Sequence, residues 1–384
     1  MDSTQRSLRS VAFLLNSFEI GGAQRVVLTL ARAWPESSSL RLLAARGGPL
    51  LAEAIDTTET SIIANNWPRP LGLFQFTRNL RKIVRETDID AIVTHSFGTA
   101  RVLLLLKKCG FLRACSVVVV EHNTLSVKVQ GLYRSRFLRA AVIHLSRWLY
   151  RSADGLIGVS HGVSLDLERT LKLRAGAVTT ILNPIDIRQV RESGGSGVTE
   201  AVALQFENLQ RPVVLSVGRL APAKNQQDLL SAFAKLPSWA QGSLVILGDG
   251  PLRESLETQA EALGITSRLW MPGYVSNPWW FMARSDVFVL TSRWEGFALV
   301  LVEALACGTP VVATDCPSGP REILEGVACA RLVPVGDIDT LRRAISDVVR
   351  KPPEVYSDEV TSRFTPAKAA SEYEYRVRIA TRMS

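Results

Sequence analysis

The stretch Val287-Phe288-Val289-Leu290-Thr291-Ser292-Arg293-Trp294-Glu295-Gly296-Phe297-Ala298-Leu299-Val300-Leu301-Val302-Glu303-Ala304-Leu305-Ala306-Cys307-Gly308-Thr309-Pro310-Val311-Val312-Ala313 reads as one strand–loop–helix–strand unit. Val287–Leu290 and Val311–Ala313 are short apolar runs of strand type. Between them the run from Phe297 to Cys307 predicts a helix, stopped by Gly308 and followed by Pro310. A helix carried between two short, wholly apolar strands is the crossover of a parallel sheet buried on both faces.

The same alternation continues in both directions. Arg331–Val333 follows, and Leu269–Met271, Leu244–Leu247 and Val213–Val217 precede. A second set of predicted strands lies at Val11–Leu15, Leu40–Ala45, Ser61–Ala64, Ala91–Thr94, Val117–Glu121, Gly155–Val159 and Thr179–Leu182. Two sets of similar size predict an α/β protein of two doubly wound domains. Asn183-Pro184-Ile185-Asp186 and the Gly/Ser stretch Ser193–Gly197 mark the junction, setting the domains at 1–183 and 184–370.

At 384 residues, 47% hydrophobic and 21% charged, the chain is long enough for two full cores and is neither disordered nor fibrous in composition. Cys109, Cys115, Cys307, Cys316 and Cys329 are odd in number and never form a C-x-x-C pair. That argues against a disulfide scaffold or a cysteine zinc site and fits a reducing compartment. The run Val11–Leu15 is too short for a signal peptide, and Val102–Leu106 stops at Lys107 and Lys108, far short of a spanning helix. The expectation is a cytoplasmic protein, peripheral on the cytoplasmic face of the inner membrane.

Charge is distributed unevenly. Residues 1–182 carry 24 basic side chains against 13 acidic ones, and residues 183–384 carry 21 against 23. Residues 101–151 hold ten basic side chains and the single acid Glu121. A solvated basic face is one reading; a phosphate-rich partner, either nucleic acid or an anionic lipid surface, is the other. Within that region, over Lys128–Arg151, Lys128, Arg134, Arg136, Arg139, Arg147 and Arg151 are interleaved with Leu132, Phe137, Leu138, Val142, Leu145, Trp148 and Leu149 in an amphipathic helical pattern. Arg134, Arg136 and Arg139 are the expected contacts to an anionic membrane face or to a partner's diphosphate.

In parallel sheets ligands sit beyond the carboxyl ends of the strands, so the following loops carry the chemistry. After Val11–Leu15, Gly21-Gly22 opens a helix and admits an anion to backbone amides, or simply makes a turn. After Val213–Val217, Arg219 and Lys224 lie five residues apart, the lysine at a helix start where it needs an anion beside it. Two cations on one diphosphate is the functional reading, and the missing G-K-[ST] ending disfavours a P-loop ATPase. Glu303 stands inside an otherwise apolar helix, where a carboxylate is costly unless it accepts hydrogen bonds, whether from ligand hydroxyls, as a cap or from a buried arginine.

Glu295-Gly296-Phe297 with Glu303 resembles the E-x7-E element of retaining nucleotide-sugar glycosyltransferases of family 4, whose GT-B fold is two facing Rossmann-like domains. The resemblance extends over Gly21-Gly22-Ala23, Glu121-His122-Asn123, Asp154–Ser160, Asn183–Asp186, Gly218-Arg219 with Lys224-Asn225, Gly248-Asp249-Gly250-Pro251-Leu252, Gly273-Tyr274 and Gly308-Thr309-Pro310. It implies that Arg219 and Lys224 hold the donor diphosphate in place of a metal, that Glu303 binds the ribose, and that Glu295 contacts the transferred sugar. It further implies that Gly296, Phe297, Ala298 and Leu299 line the sugar and phosphate, that Gly22 closes on the diphosphate, and that His122 lies at the sugar or the point of attack. The segment 371–384 crosses back onto the first domain in this family. Cys316-Pro317-Ser318-Gly319-Pro320-Arg321-Glu322 is similar to members that extend polyprenyl-diphosphate-linked glycans with hexoses or N-acetylhexosamines. The implied reaction takes a sugar from a nucleotide-sugar, most commonly a UDP-sugar, to a lipid-linked or glycan acceptor of surface polysaccharide.

Other motifs compete. Gly158-Val159-Ser160-His161-Gly162 matches the G-x-S-x-G elbow of α/β-hydrolases, but His95, His122, His144 and His161 all fail to follow it in the chain, and Ser160 reads as a cap. Asp88-Ile89-Asp90 and Asp337-Ile338-Asp339 spell D-x-D; Asp90 abuts a strand and Asp337 opens a helix, so no metal and no cofactor are assigned. Trp279-Trp280-Phe281 reads as an apolar helix start rather than a base-stacking platform. A nucleic-acid module explains the basic half but not Glu303, and nucleic acid is not expected as a partner. An epimerase or hydrolase of nucleotide-sugars shares the fold and would draw its acid/base from Glu121-His122.

Overall fold

The computed structural model describes residues 8–63, 70–112, 115–195, 197–354 and 357–383. Readings that touch Met1–Ser7, Ala64, Ser196 and Ser384 lie outside the described residues. The chain divides into two compact units, Met1–Pro184 with Pro366–Ser384, and Ile185–Thr365.

In the first unit the strands are β1 Ser10–Ser17, β2 Ser39–Arg46, β3 Thr60–Ile62, β4 Ala91–Thr94, β5 Ser116–Glu121, β6 Gly155–Gly158 and β7 Thr179–Thr180. They form one parallel sheet in the order β3-β2-β1-β4-β5-β6-β7. The second unit holds β8 Val213–Val217, β9 Ser243–Leu247, β10 Leu269–Gly273, β11 Val287–Leu290, β12 Val311–Thr314 and β13 Ala330–Val333. These too are all parallel, in the order β10-β9-β8-β11-β12-β13. Each predicted strand is present, with ends displaced by a residue or two.

Helices cover both faces, so strand residues of either parity are buried. Val117, Val118, Val119 and Val120 are all out of solvent, as are Val213 to Leu215 and Val287 to Leu290. Both sheets share the 3-2-1-4-5-6 order of Rossmann domains, and in both the order reverses at one place. That switch point lies between β1 and β4 in the first sheet (Val11 beside Ala91) and between β8 and β11 in the second (Val214 beside Val287).

The last helix, Pro366–Met383, belongs to the first unit. It starts five residues earlier than Ser371, since proline fits a first helical turn. Tyr373, Val377 and Ala380 are buried, and the Glu374 carboxylate accepts from the hydroxyls of Ser37 at 2.5 Å and Ser38 at 3.1 Å.

Two predicted helices differ. The helix of the opening stretch runs Leu299–Ala306, not Phe297–Cys307, because Ala298 takes left-handed backbone angles (φ 61°) at its N-cap. The amphipathic region 128–151 is two helices, Leu125–Leu132 and Arg136–Tyr150, the second capped by Ser135, whose Oγ accepts from the Leu138 amide at 3.4 Å. Val142, Ser146, Leu149 and Tyr150 of the second helix face the core. Phe137, Leu138, Leu145 and Trp148 do not; Phe137 is 90% exposed. Among the described residues no helix is long and apolar enough to cross a membrane.

Candidate functional site

In the second unit three loops gather at the carboxyl ends of β8, β11 and β12. The Arg293 amide donates to the Ala223 carbonyl at 2.8 Å, and the Thr291 hydroxyl to the Lys224 carbonyl at 3.0 Å. The Glu295 amide donates to the Pro317 carbonyl at 3.3 Å, which ties in the loop after β12. Gly319 (φ 95°) packs so closely that a Cβ there would lie 2.7 Å from the Phe297 carbonyl oxygen. Gly248 and Gly250, after β9, press in the same way on the carbonyls of Gly218 and Leu220. The glycines noted in the sequence thus serve loop-on-loop packing around Arg219 and Lys224.

Inside this junction the Lys224 ammonium donates to Glu295 Oε1 at 2.6 Å, and the Ser292 hydroxyl donates to the same oxygen at 2.5 Å. The side chains are 23% and 10% exposed, so the pair is largely desolvated. The anion that Lys224 needs at its helix start is therefore Glu295 of this same chain. Arg219, on the same loop as Lys224, is exposed. Phe297 and Ala298 are buried outside the helix, and Gly296 is buried beside them. Glu303 lies on the half-exposed stripe of its helix, one turn after Leu299 and one before Cys307, and not on a wholly buried face. Burial and the charge of Glu303 push the Cys307 thiol up to about 12; burial and Glu295 do the same to Cys316. Both thiols stay protonated at neutral pH.

In the first unit a cavity of about 810 Å³ opens at the ends of β1, β4 and β5. Asn16 borders it from the end of β1, and Gln24 from the first turn of the helix Gly22–Arg32 that follows Gly21. His95, Glu121, His122, Arg101 and Lys128 supply its polar wall, and Leu105, Leu132, Leu145 and Leu149 its apolar one. Glu121 is 1% exposed, accepts from the Tyr150 phenol at 2.5 Å and has Lys128 Nζ at 3.9 Å. Burial raises its carboxyl above the ordinary range against the pull of Lys128 and Tyr150. His122 Nε2 meets His95 Nδ1 at 3.0 Å. Burial and Lys128 bring His122 down to about 3, and burial with His122 lowers His95, so both rings are neutral at pH 7.

His95, Tyr150 and Ser292 did not stand out in the sequence, and Lys128 stood out only as part of the basic amphipathic stretch. Strand order supplies the missing signal: β4 and β5 are neighbours, so the residues just past their ends, His95 and His122, come side by side. Of the three arginines assigned to a membrane or acceptor, Arg134 and Arg136 are exposed. Arg139 instead clamps the break between two helices, donating to the Tyr133 carbonyl at 2.6 Å and the Gln130 carbonyl at 3.3 Å.

The competing motifs are structural. Ser160 caps the helix His161–Leu171, accepting from the Val163 amide at 3.1 Å. Asp90 accepts from the Arg9 and Ser10 amides, and Asp337 from the Thr340 amide. Trp279, Trp280 and Phe281 are buried in the helix Pro278–Met282.

The chain matches the family description Glycosyltransferase Family 4 over residues 20–189 and Glycosyl transferases group 1 over residues 197–363. The 2-deoxystreptamine N-acetyl-D-glucosaminyltransferase of Streptomyces fradiae is 35% identical over 354 residues, 86% of this chain and 83% of that protein. The N-acetylgalactosamine-N,N'-diacetylbacillosaminyl-diphospho-undecaprenol 4-alpha-N-acetylgalactosaminyltransferase of Campylobacter jejuni is 26% identical over 348 residues, 89% of this chain and 90% of that protein. An uncharacterized glycosyltransferase of Methanocaldococcus jannaschii is 27% identical over 263 residues, which span 66% of this chain and 63% of that protein's length. Among solved structures, Anabaena HepE in complex with UDP and glucose shares the fold with a TM-score of 0.78 at 20% identity, over 95% of this chain and 98% of that one. The chain is a glycosyltransferase of the GT-B fold and belongs to glycosyltransferase family 4.

Proposed function

We propose that the protein transfers a hexose or N-acetylhexosamine, with retention of anomeric configuration, from a UDP-sugar to a lipid-linked glycan at a membrane face. The observation that carries the reading is the Lys224–Glu295 pair at the switch point of the second sheet, with Arg219 exposed beside it. In this reading Arg219 and Lys224 take up the charge that develops on the departing diphosphate. One oriented cation contributes a few kcal/mol to such a transition state. Glu295 contacts the transferred sugar, the loop Gly296–Leu299 its hydroxyls and phosphate, and Glu303 the ribose. His122 and the Gly22 turn are assigned to the sugar and the diphosphate. No metal ion is assigned, since the two cations supply the positive charge.

The nucleotide class finds support in the Anabaena structure, which contains UDP, and the acceptor class in the Campylobacter relative, named for a diphospho-undecaprenol substrate. The exposed Phe137, Leu145 and Trp148 beside Arg134 and Arg136 support a membrane-face location, because apolar anchors next to cations suit an anionic lipid surface.

Thermal unfolding with UDP-, GDP- and ADP-sugars, in chelator, tests the donor assignment. A ligand at a hundred times its Kd adds about 2.7 kcal/mol of stability. Stabilisation by UDP-sugars alone, lost in Lys224→Ala, is the expected result. No stabilisation by any of them would discard the donor assignment. Consumption of donor without transfer to a diphospholipid would favour a hydrolase or epimerase acting through Glu121 and His122.

A further inference from the structure

Two buried polar atoms beneath the cavity of the first unit have no partner among the described residues: His95 Nε2 and the Tyr373 hydroxyl. Their rings are stacked, with centroids 6.0 Å apart, and Phe13 meets the His95 ring edge-on at 5.1 Å. His95 is 3% exposed, and its backbone amide donates to the Leu14 carbonyl at 3.0 Å. The imidazole is thus fixed on both sides, by the first strand and by the returning C-terminal helix. Its one hydrogen bond joins Nδ1 to His122 Nε2.

One proton must lie between those two nitrogens, and there are two ways to place it. If His122 Nε2 carries it, His95 Nδ1 is an acceptor and the neutral His95 ring must hold its own proton on Nε2. That N–H would be buried with no acceptor among the described residues, and a buried N–H without a partner is rare in folded proteins. If His95 Nδ1 carries the proton, Nε2 is a bare nitrogen, and an unpaired buried acceptor is the better tolerated of the two. His122 then accepts at Nε2 and must itself be protonated at Nδ1.

We infer that His95 is a positioning residue that locks His122 in the Nδ1–H tautomer, so that His122 offers the cavity a hydrogen-bond donor. Its complement is an oxygen acceptor on the bound molecule, a hydroxyl or phosphate oxygen. Burial keeps both rings neutral, so the donor persists through the physiological pH range. The tautomer stands on the His95–His122 hydrogen bond and the burial that keeps both rings neutral; its effect on turnover rests on the assignment of His122 proposed above.

The test is long-range ¹H–¹⁵N NMR of the full chain labelled at its four histidines, compared with His95→Asn and His95→Leu. The amide of His95→Asn reaches the place of Nδ1 and can donate in its stead. In the wild type, His122 is expected to show a protonated Nδ1 and a bare Nε2, unchanged between pH 5 and 8. His95→Asn should keep that signature, and His95→Leu should move the proton. Turnover (kcat/KM) should fall about tenfold in His95→Leu, the worth of one hydrogen bond, and recover in His95→Asn. A wild-type His122 protonated at Nε2, or a signature that survives His95→Leu, would overturn the inference. The wild-type spectrum decides this even if His95→Leu fails to fold. The expected spectra with undiminished turnover in His95→Leu would uphold the tautomer and remove His122 from the proposed reaction.

Discussion

The two sheets have the same strand order, yet their switch points hold opposite kinds of chemistry. Beyond β8 and β11 a lysine and a glutamate are paired and largely desolvated, beside an exposed arginine. Beyond β1, β4 and β5 two neutral histidines and a buried glutamate, with Arg101 and Lys128 beside them, line a cavity that is apolar on its other wall. The scaffold decides where ligand loops gather, because parallel strands all end on one side. A few residues past each strand then decide what the loops can do. In the second unit charge dominates, in an ion pair taken largely out of water. In the first unit geometry and the placement of protons dominate.

The largest effect should come from breaking the charged pair. Removing one partner of a buried pair costs about 3 kcal/mol or more, since the other charge is left unpaired. Lys224→Met should lose that much in urea unfolding, while Lys224→Met with Glu295→Gln should recover most of the stability and none of the transfer activity. Equal stability of the single and double variants would show that the pair is not coupled, and the contrast between the switch points would fail. Next comes Gly319→Ala, which sets a side chain at φ 95° against the Phe297 carbonyl. A loss of about 2 kcal/mol is expected, from left-handed strain with the added clash. The proposed nucleotide-sugar binding should weaken with it; stability within error of wild type would show that the loop after β12 does not hold the Glu295 loop in place.

Much of this was legible in the sequence, because parallel strands buried on both faces announce themselves as unbroken apolar runs. All thirteen predicted strands are found. Ser160, Asp337 and Trp279 likewise have the structural roles read for them. Side-chain pairing across the sheet was not legible. Lys224 and Glu295 are 71 residues apart, and His95 and His122 are 27 apart. Each pair meets only once strand order is known. Ala298 misled the reading for a different reason: alanine is a strong helix former, and only tertiary packing holds it left-handed. The amphipathic region misled it again, since one apolar pattern was shared between a core face and an exposed face.

That exposed face gives the next effect. Each lysine or arginine near an anionic bilayer contributes about 1 kcal/mol, so Arg134→Gln with Arg136→Gln should weaken binding to phosphatidylserine-rich vesicles by roughly thirtyfold. Arg139→Gln should instead lower stability by about 1 kcal/mol, since its guanidinium holds two backbone carbonyls. Vesicle binding that depends on Arg139 as strongly as on Arg134 and Arg136 would show that the helix break rearranges at the membrane.

The smallest effect separates the buried carboxylate of the first unit from the histidines beside it. Glu121 has its carboxyl raised above the usual range by burial, so the folded protein holds that proton more tightly than the unfolded chain. By linkage, the stability it contributes is present below the unfolded value near 4.5 and is lost as pH rises through the folded value. The histidines run the other way: lowered in the folded state, they contribute above 6.5 and lose it as pH falls. Comparing wild type with Glu121→Gln cancels the histidine contribution, provided His122 keeps its place. At pH 4 the variant should match the wild type to within about 1 kcal/mol, since the amide oxygen accepts from the Tyr150 phenol as the protonated acid does. It should gain on the wild type as pH rises above 4.5 and until the folded value is passed, because there the wild type must bury a charge and the variant need not. A difference that is flat across that range would mean that Lys128 and Tyr150 fully compensate the carboxylate. The first unit would then hold a coupled charge of the same kind as the second, and the contrast between the two switch points would narrow to the histidine pair.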